Sequence, residues 1–181
     1  METINVPTRD EVSANNQAIF DQLEKAVGFV PNLYATYAHN ETALGDYLGL
    51  QNRKSTLSSK EKEIINLSVS QVNECAYCLA AHTAIGKMNG FTDDQILDIR
   101  SGNANWDGKF DALTKFVHDA VINRSKPSQE LTDNLFAAGY NKANLVDILM
   151  VIGDKTISNF LHGTTKIPVD FPAAVELEHA Y

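Results

Sequence analysis

Every apolar run in this chain of 181 residues is spaced for a helix, and most runs are bounded by a capping or breaking residue. Val12, Ile19, Phe20, Leu23 and Val27 predict a helix from about Arg9 to Val27, stopped by Gly28. Val30-Pro31-Asn32 reads as a turn, followed by a short helix over 32–38. Asn40 caps a helix from Glu41 to about Lys54. Ser58 with Glu61 has capping-box spacing ahead of Ile64, Ile65, Leu67, Val69 and Val72. Asn73 offers an N-cap for a helix from Glu74 to Met88, closed by Asn89-Gly90. Thr92 with Gln95 opens a further short helix. Helical runs over 110–122 and 128–135 follow, then the most apolar stretch, Leu145 to Leu161. The prolines at 168 and 172 exclude a helix interior at the tail. No alternating run is bounded by hairpin turns. The expected fold is therefore all-α, a compact multi-helix bundle with short antiparallel connections, and a single domain spanning 1–181.

Composition removes several classes of function. The net charge of -8 disfavours nucleic-acid phosphates and anionic membrane surfaces as partners. No run approaches the roughly 18 consecutive apolar residues of a membrane span, and METINVPTRDEV lacks the apolar core of a signal peptide. The cytoplasm is the expected compartment, where thiols stay reduced. Against that background the two cysteines, Cys75 and Cys78, are informative. A bridge between residues three apart closes almost no loop, so it would add little stability.

The pair sits in Glu74-Cys75-Ala76-Tyr77-Cys78-Leu79-Ala80-Ala81-His82. Near the start of a helix, backbone N–H groups and the dipole favour a thiolate. Residues three apart on a helix have Cα atoms about 5 Å apart, within disulfide range. Cys75, Cys78 and His82 share one helix face, and the imidazole one turn along can take or return a thiol proton. A C-x-x-C also arises by chance, and small buried cysteines are common. Zinc is a further use of Cys75, Cys78 and His82, but a structural zinc site usually draws a second ligand pair from a distant segment, and the chain has no third cysteine. Taken alone, Glu63 reads as a solvated first-turn carboxylate. His39, His118, His162 and His179 have no comparable company, and Trp106 reads as packing.

These residues together resemble the core motif of the alkylhydroperoxidase D-like proteins of the carboxymuconolactone decarboxylase superfamily. That motif is a glutamate twelve residues before a C-x-x-C, with a histidine four residues after it. Glu63, Cys75, Cys78 and His82 occupy those places. The flanks, Leu57-Ser58-Ser59-Lys60-Glu61, Gly86 and Gly90-Phe91-Thr92-Asp93, are also similar to the family. Val27-Gly28-Phe29-Val30-Pro31-Asn32 and the Pro168-Asp170-Pro172 tail look most like its peroxidase-related subgroup. The resemblance implies an antioxidant peroxidase that reduces a hydroperoxide through a dithiol–disulfide cycle. It implies Cys78 as peroxidatic nucleophile, Cys75 as resolving thiol, His82 as proton relay and Glu63 as the residue that orients it. It also implies homo-oligomers, trimers or hexamers, and an external dithiol or reductase as partner. No cofactor and no metal are expected. Some members carry a histidine just before the second cysteine. Here that place is Tyr77, which hydrogen-bonds but does not titrate near neutral pH. The rival readings are a decarboxylase-like enzyme, for which Arg53 and Arg100 are the nearest arginines, and a non-enzymatic thiol redox sensor.

Overall fold

Local capping sets most element boundaries. The computed structural model describes residues 4–177. In chain order they form a 3-10 turn at Arg9–Glu11 and helices α1 (Ala14–Val27), α2 (Asn32–Tyr37), α3 (Ala43–Gln51), α4 (Ser59–Val72), α5 (Ala76–Met88), α6 (Asp93–Arg100), α7 (Gly108–Ile122), α8 (Gln129–Ala137) and α9 (Lys142–Thr165). No strand occurs among the described residues, so the chain is all-helical as its periodicity predicts. The capping boxes at Ser58–Glu61 and Thr92–Gln95 form as spaced. Gly28 ends α1 in the left-handed region at φ 94°, and Asn40 Oδ1 accepts from the N–H groups of Thr42 and Ala43 at the start of α3.

Two boundaries differ from expectation. The first predicted helix is broken at Val12, because Ser13 caps α1 and Thr8 with Glu11 closes its own turn. The second difference bears on the site. Asn73 ends α4 instead of starting α5, Glu74 crosses in the left-handed region at φ 52°, and Cys75 itself is the N-cap of α5. The amide of Asn73 is used elsewhere, donating to Asn159 Oδ1 at 2.9 Å.

Helix α4 is the axis of the bundle, packed against α5, α6, α7 and α9. Ile64, Ile65, Leu67 and Val69 are fully buried, each worth about 1.5–3 kcal/mol of transfer free energy. Its polar side chains are buried as well. Glu63, Asn66, Ser70 and Gln71 have no solvent face and must find partners inside the protein. Glu63 meets His82 of α5, Ser70 meets Asn159 of α9 and Gln71 meets Arg100 of α6, while Asn66 donates to Glu63, which is how a helix of mixed composition can serve as a centre. A second apolar cluster gathers Phe20, Leu33, Tyr37, Leu44 and Tyr47 from α1–α3 against Cys75, Tyr77 and Cys78 at the start of α5.

The outer face of α9 carries Val146, Leu149, Met150, Ile157 and Phe160 in one exposed stripe at helical spacing. Among the described residues no helix is long and apolar enough to cross a membrane. The tail after α9 returns across α2. Asp170 Oδ2 accepts from the Asn32 N–H at 2.7 Å, and Asn32 Nδ2 donates to Pro168 O at 3.1 Å. The Pro31-Asn32 turn and the proline-bounded tail, far apart in sequence, therefore form one contact. His179 lies outside the described residues.

Candidate active site

The tight α4–α5 turn brings Glu63 of α4 against His82 of α5. Glu63 Oε2 and His82 Nδ1 are 2.7 Å apart, and both side chains are buried. Asn66 Nδ2 donates to the other carboxylate oxygen at 2.9 Å. Burial opposes the charge on Glu63, but the His82 charge, its hydrogen bond and Asn66 outweigh that cost and hold the carboxyl below its ordinary range. A carboxylate at Nδ1 leaves Nε2 as the nitrogen free to exchange protons. Glu63 is thus not a solvated first-turn carboxylate. The sequence pattern pointed that way because the start of α4 looks like a surface entry, whereas α5 and α9 cover it.

The two thiols are inequivalent. Cys75 Sγ accepts the Cys78 N–H at 3.4 Å, taking the place of a conventional N-cap oxygen. Cys78 Sγ lies 3.9 Å from Ser158 Oγ. The Cys75 thiol, acting as donor to Cys78, lowers the Cys78 pKa to about 5. Burial works against this, and the charges of Lys155 and His82 and a hydrogen bond with Asn159 add to it. The same hydrogen bond, together with burial, pushes Cys75 up. The pair is reduced, Cys78 favoured as thiolate and Cys75 as thiol.

Cys78 faces a cavity of about 630 Å³ that Cys75 does not line. Glu63, Asn66 and His82 form one side. Leu33, Tyr34, Tyr47 and Phe171 supply apolar and aromatic wall, and Asp154 and Lys155 of α9 lie on the cavity too. The α9 residues were not singled out in the sequence, because they sit inside its most apolar stretch without a motif. Two polar residues one helical turn apart in such a run, Lys155 and Ser158 with Asn159 beside them, were the available signal. Ser70 and Asn73 of α4 hold Asn159, through contacts of 3.3 and 2.9 Å.

Other expected candidates fall elsewhere. Tyr77 lines the cavity, but its hydroxyl accepts the Leu33 N–H at 3.2 Å and its ring meets Phe171 edge-on at 5.7 Å. It ties α2 and the tail to α5. His162 packs on Tyr77 with ring centroids 5.4 Å apart. His118 is buried in the main core with Nε2 3.0 Å from Ile99 O, and its pKa falls to about 4 through burial. His39 contacts Asn5 O. Trp106 packs edge-on against Phe91 and Phe110. Neither flanking arginine reaches the cavity: Arg53 pairs with Asp147 at 2.6 Å, and Arg100 donates to Gln71 and to Val175 O. No group of three or more metal-ligating side chains is assembled among the described residues.

The sequence profile of the carboxymuconolactone decarboxylase family matches residues 38–116, the segment that holds Glu63, Cys75, Cys78 and His82. That segment of the chain is similar to the family, and the fold as a whole is alkylhydroperoxidase-like. Across 94% of its length it superposes on 94% of the alkylhydroperoxidase core of a peroxidase-related protein from Ralstonia eutropha JMP134, with TM-score 0.82 and 19% identity. A peroxidase-related protein from Silicibacter sp. TM1040 matches with TM-score 0.78 and 23% identity over 94% of this chain and 91% of that one. The debrominase Bmp8, in a cysteine-to-alanine variant bound to 2,3,4-tribromopyrrole, matches with TM-score 0.77 and 15% identity over 94% and 92%. Among curated sequences, the uncharacterized protein YdfG of Bacillus subtilis (strain 168) is 27% identical over 107 residues, 55% of this chain and 69% of that protein. At these identities the structural neighbours establish the fold, and the chemistry is argued from this chain's own residues.

Proposed function

We propose that this protein is a thiol-dependent peroxidase, an oxidoreductase that reduces organic hydroperoxides through Cys78 and Cys75. The observation that carries the reading is the asymmetry of the two thiols: the one favoured as thiolate faces the cavity, and the one held protonated lies behind it. Cys78 attacks the terminal peroxide oxygen and becomes a sulfenic acid, and an alcohol leaves. Cys75 then displaces water from the sulfenic acid to give the disulfide. An external dithiol or reductase protein returns both thiols by exchange. His82, oriented by Glu63, is the proton carrier for the sulfurs. The cavity is many times larger than hydrogen peroxide and falls within the size range of sites for organic ligands.

The cycle needs a reducing compartment, which fits the cytoplasm. The exposed apolar stripe of α9 is the surface on which we place self-association into a homo-oligomer. The decarboxylase-like reading would want arginines at its substrate's carboxylate, and both nearby arginines are engaged elsewhere. A sensor would share the disulfide but would not turn over.

The test is a coupled peroxide-consumption assay with a dithiol reductant on wild type and Cys78→Ser. Turnover in the wild type and at least a roughly 1,000-fold loss in the variant is the expected result, the usual order for losing a covalent nucleophile. Unchanged turnover in the variant, or none in either, overturns the reading.

A further inference from the structure

Lys155 is a buried cation with no carboxylate within ion-pair distance among the described residues. It is 3% exposed, on the inner face of α9, and lines the same cavity as Cys78. Its carbonyl accepts from Ser158 Oγ at 2.9 Å, the hydroxyl that also meets the Cys78 sulfur. Burying an ammonium without an anion is costly, so the site must offer it a negative charge. The Cys78 thiolate supplies such a charge before reaction, with the Glu63 carboxylate also within reach of the Lys155 field. When the thiolate attacks a peroxide, its electron pair does not leave the cavity; it moves onto the departing oxygen. In an in-line displacement that oxygen lies on the far side of the attacked atom from sulfur, away from Cys78 and into the cavity.

Resting on the peroxidase reading above, we propose that Lys155 is a catalytic residue, the general acid that protonates the alkoxide released when Cys78 cleaves the O–O bond. The S–O bond forms as the O–O bond breaks; sulfur is oxidised and the peroxide reduced. The alkoxide takes one N–H proton of Lys155 and leaves as an alcohol. An alkoxide is a far stronger base than an amine, so the transfer runs downhill. The Lys155 amine then recovers a proton from solvent through the open side of the cavity. Cys75 attacks the Cys78 sulfenic acid, the S–S bond forms as the S–O bond breaks, and the Cys75 proton leaves with the hydroxyl as water. His82 and Glu63 serve the sulfurs, and Lys155 serves the oxygen. The titratable groups around Cys78 are Cys75, Tyr77 and His82 from α5, Glu63 behind His82 from α4, Tyr34, Tyr37 and Tyr47 from α2 and α3, and Asp154 with Lys155 from α9.

Leaving-group dependence tests the assignment. A peracid expels a carboxylate, which needs no proton, whereas an alkyl hydroperoxide expels an alkoxide, which does. The single-turnover oxidation of Cys78 by tert-butyl hydroperoxide and by peracetic acid is followed at about pH 8 in wild type, Lys155→Met and Lys155→Arg. Rates are divided by the iodoacetamide alkylation rate of the same protein, which removes any change in thiolate content. Lys155→Met is expected to slow the alkyl hydroperoxide about 100-fold, the ordinary worth of a general acid, and the peracid less than threefold. Lys155→Arg keeps the charge and is expected to recover part of the alkyl hydroperoxide rate. Equal loss with both oxidants, or loss with neither, overturns the role of Lys155 and leaves the peroxidase reading intact. A wild type that reduces neither oxidant overturns both. Should Lys155→Met fail to fold, the wild type decides alone: its rate gap between the two oxidants must be at least about 30-fold narrower than that of a free small-molecule thiol, and an equal gap overturns the assignment.

Discussion

The candidate site has two walls of different kind. One is the α4–α5 wall, with Glu63, Cys75, Cys78 and His82 packed into two adjacent helices joined by a tight turn. The other is made by α9 and the tail, where Lys155, Ser158, Asn159 and Phe171 approach from a segment some 80 residues away, as the contact of Ser158 with Cys78 shows. The first wall carries its chemistry in spacing, so a short motif defines it. The second is assembled by packing, so only the folded chain defines it. The local motif places the sulfurs and the imidazole, and the distant wall completes the cavity around them.

Perturbing each wall should produce different losses. On the motif wall, His82→Ala is expected to reduce peroxide turnover about 100- to 1,000-fold in the coupled assay, because the sulfur proton carrier is lost while the Cys78 cavity remains. Cys75→Ala tests the coupling between the thiols. Cys78 alkylation in the wild type should follow a profile with a midpoint near pH 5. It should be pH-independent above about pH 6, since a lowered pKa leaves the thiolate present above the midpoint and lost only as pH falls through it. Removing the Cys75 donor takes away the largest stabilising contact of the thiolate, so the midpoint should rise and alkylation at about pH 6 should fall about tenfold. An unmoved midpoint would show that the α9 wall, not Cys75, governs the thiol.

Lys155 apart, the contacts that join the tail to Tyr77 of α5 should give structural and smaller effects. Phe171→Ala removes ring contacts with Phe29 and Tyr77 on a half-buried residue, and about 1–2 kcal/mol should be lost in urea unfolding. Tyr77→Phe removes only the hydroxyl that accepts the Leu33 N–H, for about 1 kcal/mol. If Tyr77→Phe instead slowed peroxide turnover tenfold without loss of stability, the tyrosine would belong to the chemistry and the division between walls would blur. The smallest effect belongs to the joint of the motif wall. Glu74 is exposed and left-handed, so Glu74→Gly should be stabilising by up to about 1 kcal/mol in the same measurement.

The helix count and most boundaries were legible because caps are local. Ser58–Glu61, Thr92–Gln95 and Gly28 act over three or four residues and do not depend on the rest of the fold. Asn73 misled for an instructive reason. Asparagine is a good N-cap, but its side chain is recruited by Asn159 across the bundle, and a sulfur takes the vacant role. The burial of Glu63 was equally hidden, since exposure of a carboxylate near a helix start depends on which helices cover it. The resemblance supplied Glu63 where periodicity alone preferred solvent. Lys155 is named by no motif; its spacing from Ser158 in an apolar run was the sole hint, and a lysine there shows its direction only once the helix is packed.

The cap on α5 has a consequence for what oxidation does to the protein. The Cys75 sulfur holds the Cys78 N–H in the reduced state. Forming the disulfide takes that sulfur away from the amide and leaves the first turn of α5 with an unmet donor. In the proposed cycle, oxidation would therefore consume a piece of helix end together with the two thiols. The oxidised protein should begin α5 loosely and the reduced one firmly, so amide exchange at Cys78 becomes a gauge of redox state. In that cycle a reductant would meet a disulfide in a loosened turn.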